Sequence, residues 1–184
     1  GEPEDYEENE KIILHVCRQN KAMVGGMDEI YGGEDTTGKI WKWTINLTSG
    51  TCSEEQIDDR PCDFARVDDR LVGLKAKNGY AMALNEKAET LTFDQYLYKF
   101  DLENNKRFDH NLGDNVFGGE PVFVPKSGSS SEDDGWVMAI VYDANIDKSK
   151  LIIVDTENFD KKPVGEIILP QRVPFGAHGS WLSN

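Results

Sequence analysis

Apolar and polar residues alternate in three stretches that end alike: Trp43-Thr44-Ile45-Asn46-Leu47-Thr48, Tyr98-Lys99-Phe100-Asp101-Leu102-Glu103 and Ile152-Ile153-Val154-Asp155-Thr156-Glu157. A period of two marks a half-buried strand, and the Asn or Asp near each end suits a tight turn. Those residues, at 46, 101 and 155, stand 55 and 54 positions apart. Two further strand-like runs open on glycine, Gly79-Tyr80-Ala81-Met82-Ala83-Leu84 and Gly135-Trp136-Val137-Met138-Ala139-Ile140, 56 positions apart. Helical periodicity is hard to find anywhere. The pattern predicts an all-β fold built from a repeated unit.

A repeat of this length is close to the ~40 to 50 residues of four-stranded propeller blades, allowing for longer loops. The chain has room for about three blades, and closed propellers have more. A β-sandwich would also supply many short strands, but not a shared period. The same period selects a second set of residues: Asp63 in Cys62-Asp63-Phe64-Ala65-Arg66, Glu120 in Gly119-Glu120-Pro121, and His178 in Phe175-Gly176-Ala177-His178-Gly179, spaced by 57 and 58. Each is expected just ahead of a strand that opens a blade, where the inner strands line the central axis. Polar groups there are costly unless paired, solvated or bound to a metal. An imidazole backed by a carboxylate is what an iron, manganese or zinc ion requires, because the carboxylate accepts the second ring N–H and fixes the tautomer. One such histidine is too few for a site, so the remaining ligands are expected from sequence outside this chain.

Composition narrows the partners. The chain has 184 residues, 34 acidic against 20 basic, and a formal net charge of -14. No basic stripe is left to neutralise a phosphate backbone, so no nucleic-acid partner is expected. No run approaches the ~20 apolar residues that span a bilayer, which predicts a soluble protein with at most peripheral membrane contact through parts outside this chain. Residue 1 is not Met and the first ten residues do not read as a signal peptide, so truncation at the N-terminus is expected. Cys17, Cys52 and Cys62 form no CxxC pair and are odd in number, favouring a reduced cytoplasmic setting. Asn46-Leu47-Thr48 matches a glycosylation sequon that matters only in a secreted protein.

Gly119-Glu120-Pro121-Val122-Phe123-Val124-Pro125, Glu132-Asp133-Asp134-Gly135-Trp136 and Leu169-Pro170-Gln171-Arg172-Val173-Pro174-Phe175-Gly176-Ala177-His178-Gly179-Ser180-Trp181 resemble the carotenoid cleavage oxygenase family. Weaker matches fall at Ile13 to Arg18, Trp41 to Gly50 and Asp59 to Asp68, so the resemblance runs in order along nearly the whole chain. It implies a seven-bladed β-propeller, of which residues 1–184 are the C-terminal part of one domain. It also implies Fe(II) held on the axis by four histidines, three of them backed by glutamates. His178 then matches the last iron ligand, and Glu120 one of the outer carboxylates. Asp63 takes the place of another, one methylene short, with Ala65 where a proline is expected and Ala177 where a bulky aromatic is usual.

The activity implied is oxidative cleavage of a carbon–carbon double bond in a carotenoid, apocarotenoid or stilbene with O2, giving two carbonyl products. No catalytic acid or base beyond the metal site is evident, and these residues alone are expected to be inactive. Two other readings stand beside it: a non-catalytic propeller used for binding, with Asp63 and Ala177 as signs of a decayed metal site, and a metal-dependent hydrolase or isomerase on the same scaffold. His15 reads as a hydrogen-bonded strand residue and His110 as solvent-exposed in an outer hairpin; neither is expected to bind metal. Ser127 to Asp134 reads as a mobile surface loop. Trp41, Trp43, Tyr96 and Tyr98 read as core between blades.

Overall fold

The structure, a computed structural model, describes residues 10–20, 37–87, 92–176 and 178–182. Among the described residues are eleven strands: β1 Lys11–Arg18, β2 Lys39–Asn46, β3 Thr51–Arg66, β4 Asn78–Leu84, β5 Phe93–Asp101, β6 Lys106–Asn111, β7 Val116–Phe117, β8 Val122–Pro125, β9 Gly135–Asp143, β10 Lys148–Asp155 and β11 Gly165–Ile168. Every pairing is antiparallel. The expected repeat is present as three successive sheets. β1, β2 and the first part of β3 make the first, the last part of β3 with β4, β5 and β6 the second, and β8, β9, β10 and β11 the third.

β3 links the first two sheets without a loop. Thr51 to Gln56 pair with β2, the register slips near Pro61, and Cys62 to Arg66 pair with β4. The passage is close-packed: a Cβ on Gly38 would lie 2.7 Å from the Cys62 carbonyl oxygen and 3.2 Å from Cys17 Cβ. The Cys17 and Cys62 sulfurs stand 3.8 Å apart as free thiols.

The turn chemistry read from the repeat holds. Asn46 Oδ1 accepts the N–H groups of Thr48 and Ser49, Asp101 Oδ1 those of Glu103 and Asn104, and Asp155 Oδ1 that of Glu157. Each side chain thereby satisfies backbone donors that the strand has released.

Face-to-face stacking explains why β4 is apolar along nearly its whole length. Tyr80, Met82 and Leu84 enter the core shared with the third sheet, alongside Phe123, Val137 and Val154, while Ala81 and Ala83 enter the core shared with the first, alongside Ile40 and Tyr98. Strand side chains alternate between faces, so a sheet covered on both sides needs an unbroken apolar run. Tyr80 stacks on Phe123 across the second interface at 5.8 Å between ring centroids. Of the aromatics expected between blades, Tyr98 is in the core and Tyr96 against it, whereas Trp41 is half-buried beneath the Arg18 guanidinium. An ion pair made by the buried Lys99 crosses the same boundary as the Tyr80–Phe123 stack: Lys99 Nζ meets both oxygens of the partly exposed Asp133, at 2.7 and 2.6 Å, and the Thr156 carbonyl at 2.8 Å.

Two expectations are corrected here. The loop from Ser127 to Asp134 is anchored to the second sheet: Glu132 Oε1 accepts the N–H groups of Lys77 and Asn78, and Arg70 donates to the carbonyls of Ser129 and Ser131. His110 is buried at 2 % exposure, because the turn carrying Phe159 folds over it from the third sheet. Its Nδ1–H donates to the Phe159 carbonyl at 2.8 Å, and its Nε2 has no partner among the described residues. His15 Nε2 is likewise buried without a partner among the described residues.

Burial lowers the pKa of His110 from its ordinary 6.5, and that of His15 in the same direction. The folded state therefore holds these rings neutral where the unfolded chain takes up protons. Stability is full above the unfolded value of 6.5 and declines as pH falls through it towards the lower folded values. Urea midpoints measured between about pH 7.5 and 5.5 are expected to drop, and His110→Gln is expected to flatten the drop. An equal acid slope in the variant would remove His110 from the account.

Candidate metal centre

Three sequence segments converge: the end of β3, the link from β7 to β8, and the stretch beyond β11. Arg66 is the last residue of β3. Glu120 lies between β7 and β8, after Gly118-Gly119 and before the buried Pro121. His178 and Gly179 lie in the extended segment beyond β11. Gly119 is required by a close approach: a Cβ there would sit 2.3 Å from the Ile140 carbonyl oxygen of β9. That contact sets where the next residue, Glu120, begins.

The Glu120 side chain is 6 % exposed and both of its oxygens are engaged. Oε1 accepts from His178 Nδ1 at 3.1 Å and from one Arg66 guanidinium nitrogen at 3.0 Å; Oε2 accepts the Gly179 N–H at 2.5 Å. The same Arg66 nitrogen donates to the Gly179 carbonyl at 2.9 Å, and the other terminal nitrogen to both Asp69 oxygens at 3.0 and 3.3 Å. Burial opposes ionisation of Glu120, but the bonds from Gly179, His178 and Arg66 outweigh it and hold the carboxyl below its ordinary range.

A carboxylate can only accept, so the proton of a neutral His178 ring sits on Nδ1 and the Nε2 lone pair is left available. The side chain is 76 % exposed, which leaves that nitrogen accessible. This donor arrangement fits a metal ligand. It is one ligand: among the described residues no group of three or more His, Cys, Asp or Glu is placed to hold an ion. Ala177 lies outside the described residues.

Asp63 is placed differently from its period mate. It lies within β3 opposite Met82, and its Oδ1 accepts the N–H of Phe64 at 2.7 Å. Phe64 has φ +54°, a left-handed conformation that is strained for an aromatic residue and costs of order 1–3 kcal/mol. The strain turns the ring edge-on to His178, with centroids 5.3 Å apart. Phe64 meets Phe93 at 6.5 Å, Phe93 meets Phe175 at 4.9 Å, and Phe175 meets Tyr142 at 6.2 Å. The latter three rings border a cleft of about 490 Å³ that also takes in His178, Met138 and Ile140. Alternation in β9 places Met138, Ile140 and Tyr142 on the face away from the core.

Sequence reasoning brought Glu120 and His178 together but passed over Arg66 and this aromatic wall. The usable signal was a cation closing a strand three residues after the candidate Asp63.

A family model described as retinal pigment epithelial membrane protein matches residues 4–183. The chain is 29% identical over 180 residues to apocarotenoid-15,15'-oxygenase of Synechocystis, covering 96% of this chain and 36% of that protein. It is 30% identical over 175 residues to a carotenoid cleavage oxygenase of Mycobacterium tuberculosis, covering 94% and 34%. Against carotenoid 9,10(9',10')-cleavage dioxygenase 1 of Pisum sativum it is 28% identical over 194 residues, covering 97% and 35%. The solved structure of cobalt-substituted Synechocystis apocarotenoid oxygenase superposes with a TM-score of 0.84 at 28% identity, covering 96% of this chain and 37% of that one. The chain thus spans a little over a third of the length of these relatives.

Proposed function

The chain belongs to the retinal pigment epithelial membrane protein family, which takes in the carotenoid cleavage oxygenases, and from that premise we propose that residues 1–184 are the C-terminal part of one propeller domain. The whole protein is a non-haem Fe(II) dioxygenase that cleaves a carbon–carbon double bond of a carotenoid, apocarotenoid or stilbene into two carbonyl products. The observation that carries this reading is the His178–Glu120 pair: an accessible imidazole whose Nδ1 is tied to a buried carboxylate, leaving Nε2 for a metal. The cobalt-substituted relative supports a metal of this kind.

Apolar faces at both ends of the arc support the larger propeller. Ile12, Ile13 and Leu14 of β1 and Ile140, Ile167 and Ile168 of the third sheet are between 36% and 58% exposed, as faces awaiting further sheets would be. The other iron ligands come from those sheets, so residues 1–184 alone are inactive. Bound there, Fe(II) supplies the capacity to bind and activate O2. The chain's own part is to hold His178 in one tautomer through Glu120 and to present Phe93, Phe175 and Tyr142 as a wall against which an apolar polyene can lie. Among the described residues no helix is long and apolar enough to cross a membrane. The unbridged Cys17 and Cys62 thiols suit the cytoplasm.

One observation favours a second reading, a propeller that binds without catalysis. The Asp63 carboxylate closes on its own neighbour's peptide, which weakens the case for it as the outer partner of a ligand. Turnover separates the two. The whole protein, loaded with Fe(II) anaerobically and then given O2 and an apocarotenoid, is expected to yield two carbonyl products in equal amounts. Iron-loaded protein that yields none across carotenoid, apocarotenoid and stilbene substrates sinks the dioxygenase and leaves the binding module.

A further inference from the structure

We infer that Arg66 is a positioning residue for the metal centre: its guanidinium clamps Glu120 and the Gly179 peptide together, and so sets the direction in which His178 presents Nε2. The inference rests on the metal reading above and deepens it. One Arg66 nitrogen bridges Glu120 Oε1 and the Gly179 carbonyl, while Glu120 Oε2 holds the Gly179 N–H. The residue immediately after His178 is therefore held on both sides, its N–H by the carboxylate and its C=O by the guanidinium. Asp69, three residues beyond Arg66, fixes the far side of the guanidinium through both of its oxygens. The clamp joins residues 54 and 113 positions apart in sequence, which ties the end of β3 to segments from two later units.

The residue type matters. A guanidinium is planar, always charged, and presents its donors in a fixed fork, so it can meet a carboxylate, a carbonyl and a second carboxylate at once. A lysine ammonium is a point charge on a flexible stem and cannot hold both sides of this arrangement rigidly. Without the clamp, Glu120 keeps its bonds to His178 and Gly179 but loses its ion pair, and the Gly179 carbonyl loses the guanidinium donor. The guanidinium then no longer opposes rotation of the His178–Gly179 segment about the carboxylate. Outer groups that orient a metal-bound histidine typically contribute 10- to 100-fold to affinity or activity.

The test uses the whole protein loaded with Co(II), whose visible bands report the geometry at the ion independently of turnover. Chelator-driven cobalt release and the band positions are compared for the unsubstituted protein and for Arg66→Met, Arg66→Lys, Asp69→Ala and His178→Ala. Arg66→Met is expected to release cobalt roughly 10- to 100-fold faster with shifted bands, and Arg66→Lys and Asp69→Ala to fall between it and the unsubstituted protein. If Arg66→Met does not fold, Arg66→Lys decides alone: intermediate release supports the clamp, and unchanged release with unchanged bands overturns it. Unchanged release in Arg66→Met, while His178→Ala sheds its metal, overturns the clamp and leaves the metal site standing. Cobalt retained by His178→Ala overturns the metal reading itself.

Discussion

The His178→Ala variant of the whole protein is expected to carry iron only at background after anaerobic purification with Fe(II), where the unsubstituted protein carries a stoichiometric amount. Two features of the structure make the loss local. The His178 side chain is 76 % exposed, so its removal empties no core, and Glu120 keeps the Gly179 N–H and the Arg66 guanidinium when the imidazole is gone. A surface truncation of this kind costs about 0.5 kcal/mol. The unfolding midpoint of the metal-free variant should therefore stay close to that of its parent while the iron disappears. Glu120→Gln separates ligand from support: an amide can still accept from Nδ1 but brings no charge, so iron binding should weaken roughly 10- to 100-fold. Equal iron in His178→Ala and its parent would dispose of the ligand assignment.

The parts of this architecture legible in the sequence are those set by near neighbours. Asn46, Asp101 and Asp155 mark the repeat because each bonds to peptides two or three residues away, so the same local chemistry recurs wherever the same turn recurs. The period marks Glu120 and His178, 58 positions apart, as equivalent places in successive blades; that they bond to each other is a fact of the structure. What the pattern missed depends on contacts that no local rule encodes. His110 is buried by Phe159, from a turn 49 residues later, and its own strand shows no sign of it: Phe108, on the same face, is 44% exposed. The tie from Glu132 to the Lys77 and Asn78 peptides turned an apparently loose serine-rich loop into an anchored one. Asp63 shares the period of Glu120 but not its geometry, because it sits inside a strand that continues from one sheet into the next. The repeat predicts position along a blade; the aim of a side chain is decided by the neighbouring blade.

Gly119→Ala puts that dependence to a test in which one methyl group reaches both the fold and the site. The added Cβ would lie 2.3 Å from the Ile140 carbonyl oxygen, which is backbone held in β9 between β8 and β10 and cannot step aside as a side chain would. Either β9 or the segment carrying Glu120 must move, and overpacking of this kind costs about 3 kcal/mol. A chain of this size should lose roughly 6 to 12 °C in unfolding midpoint. Gly165→Ala is the control, since its Cβ would meet Ile153 Cδ1 at an ordinary 3.4 Å in a largely exposed strand; it should stay within about 0.5 kcal/mol of the parent. The second effect follows from sequence adjacency. Glu120 is the next residue, and the strain is most cheaply relieved by shifting it, because its segment has only the two-residue β7 before it and the four-residue β8 after it. Gly119→Ala molecules that remain folded should therefore bind iron more weakly than Gly165→Ala molecules. A destabilised Gly119→Ala protein with parental iron affinity would place the relief in β9 and break the proposed link between this close approach and the aim of the carboxylate.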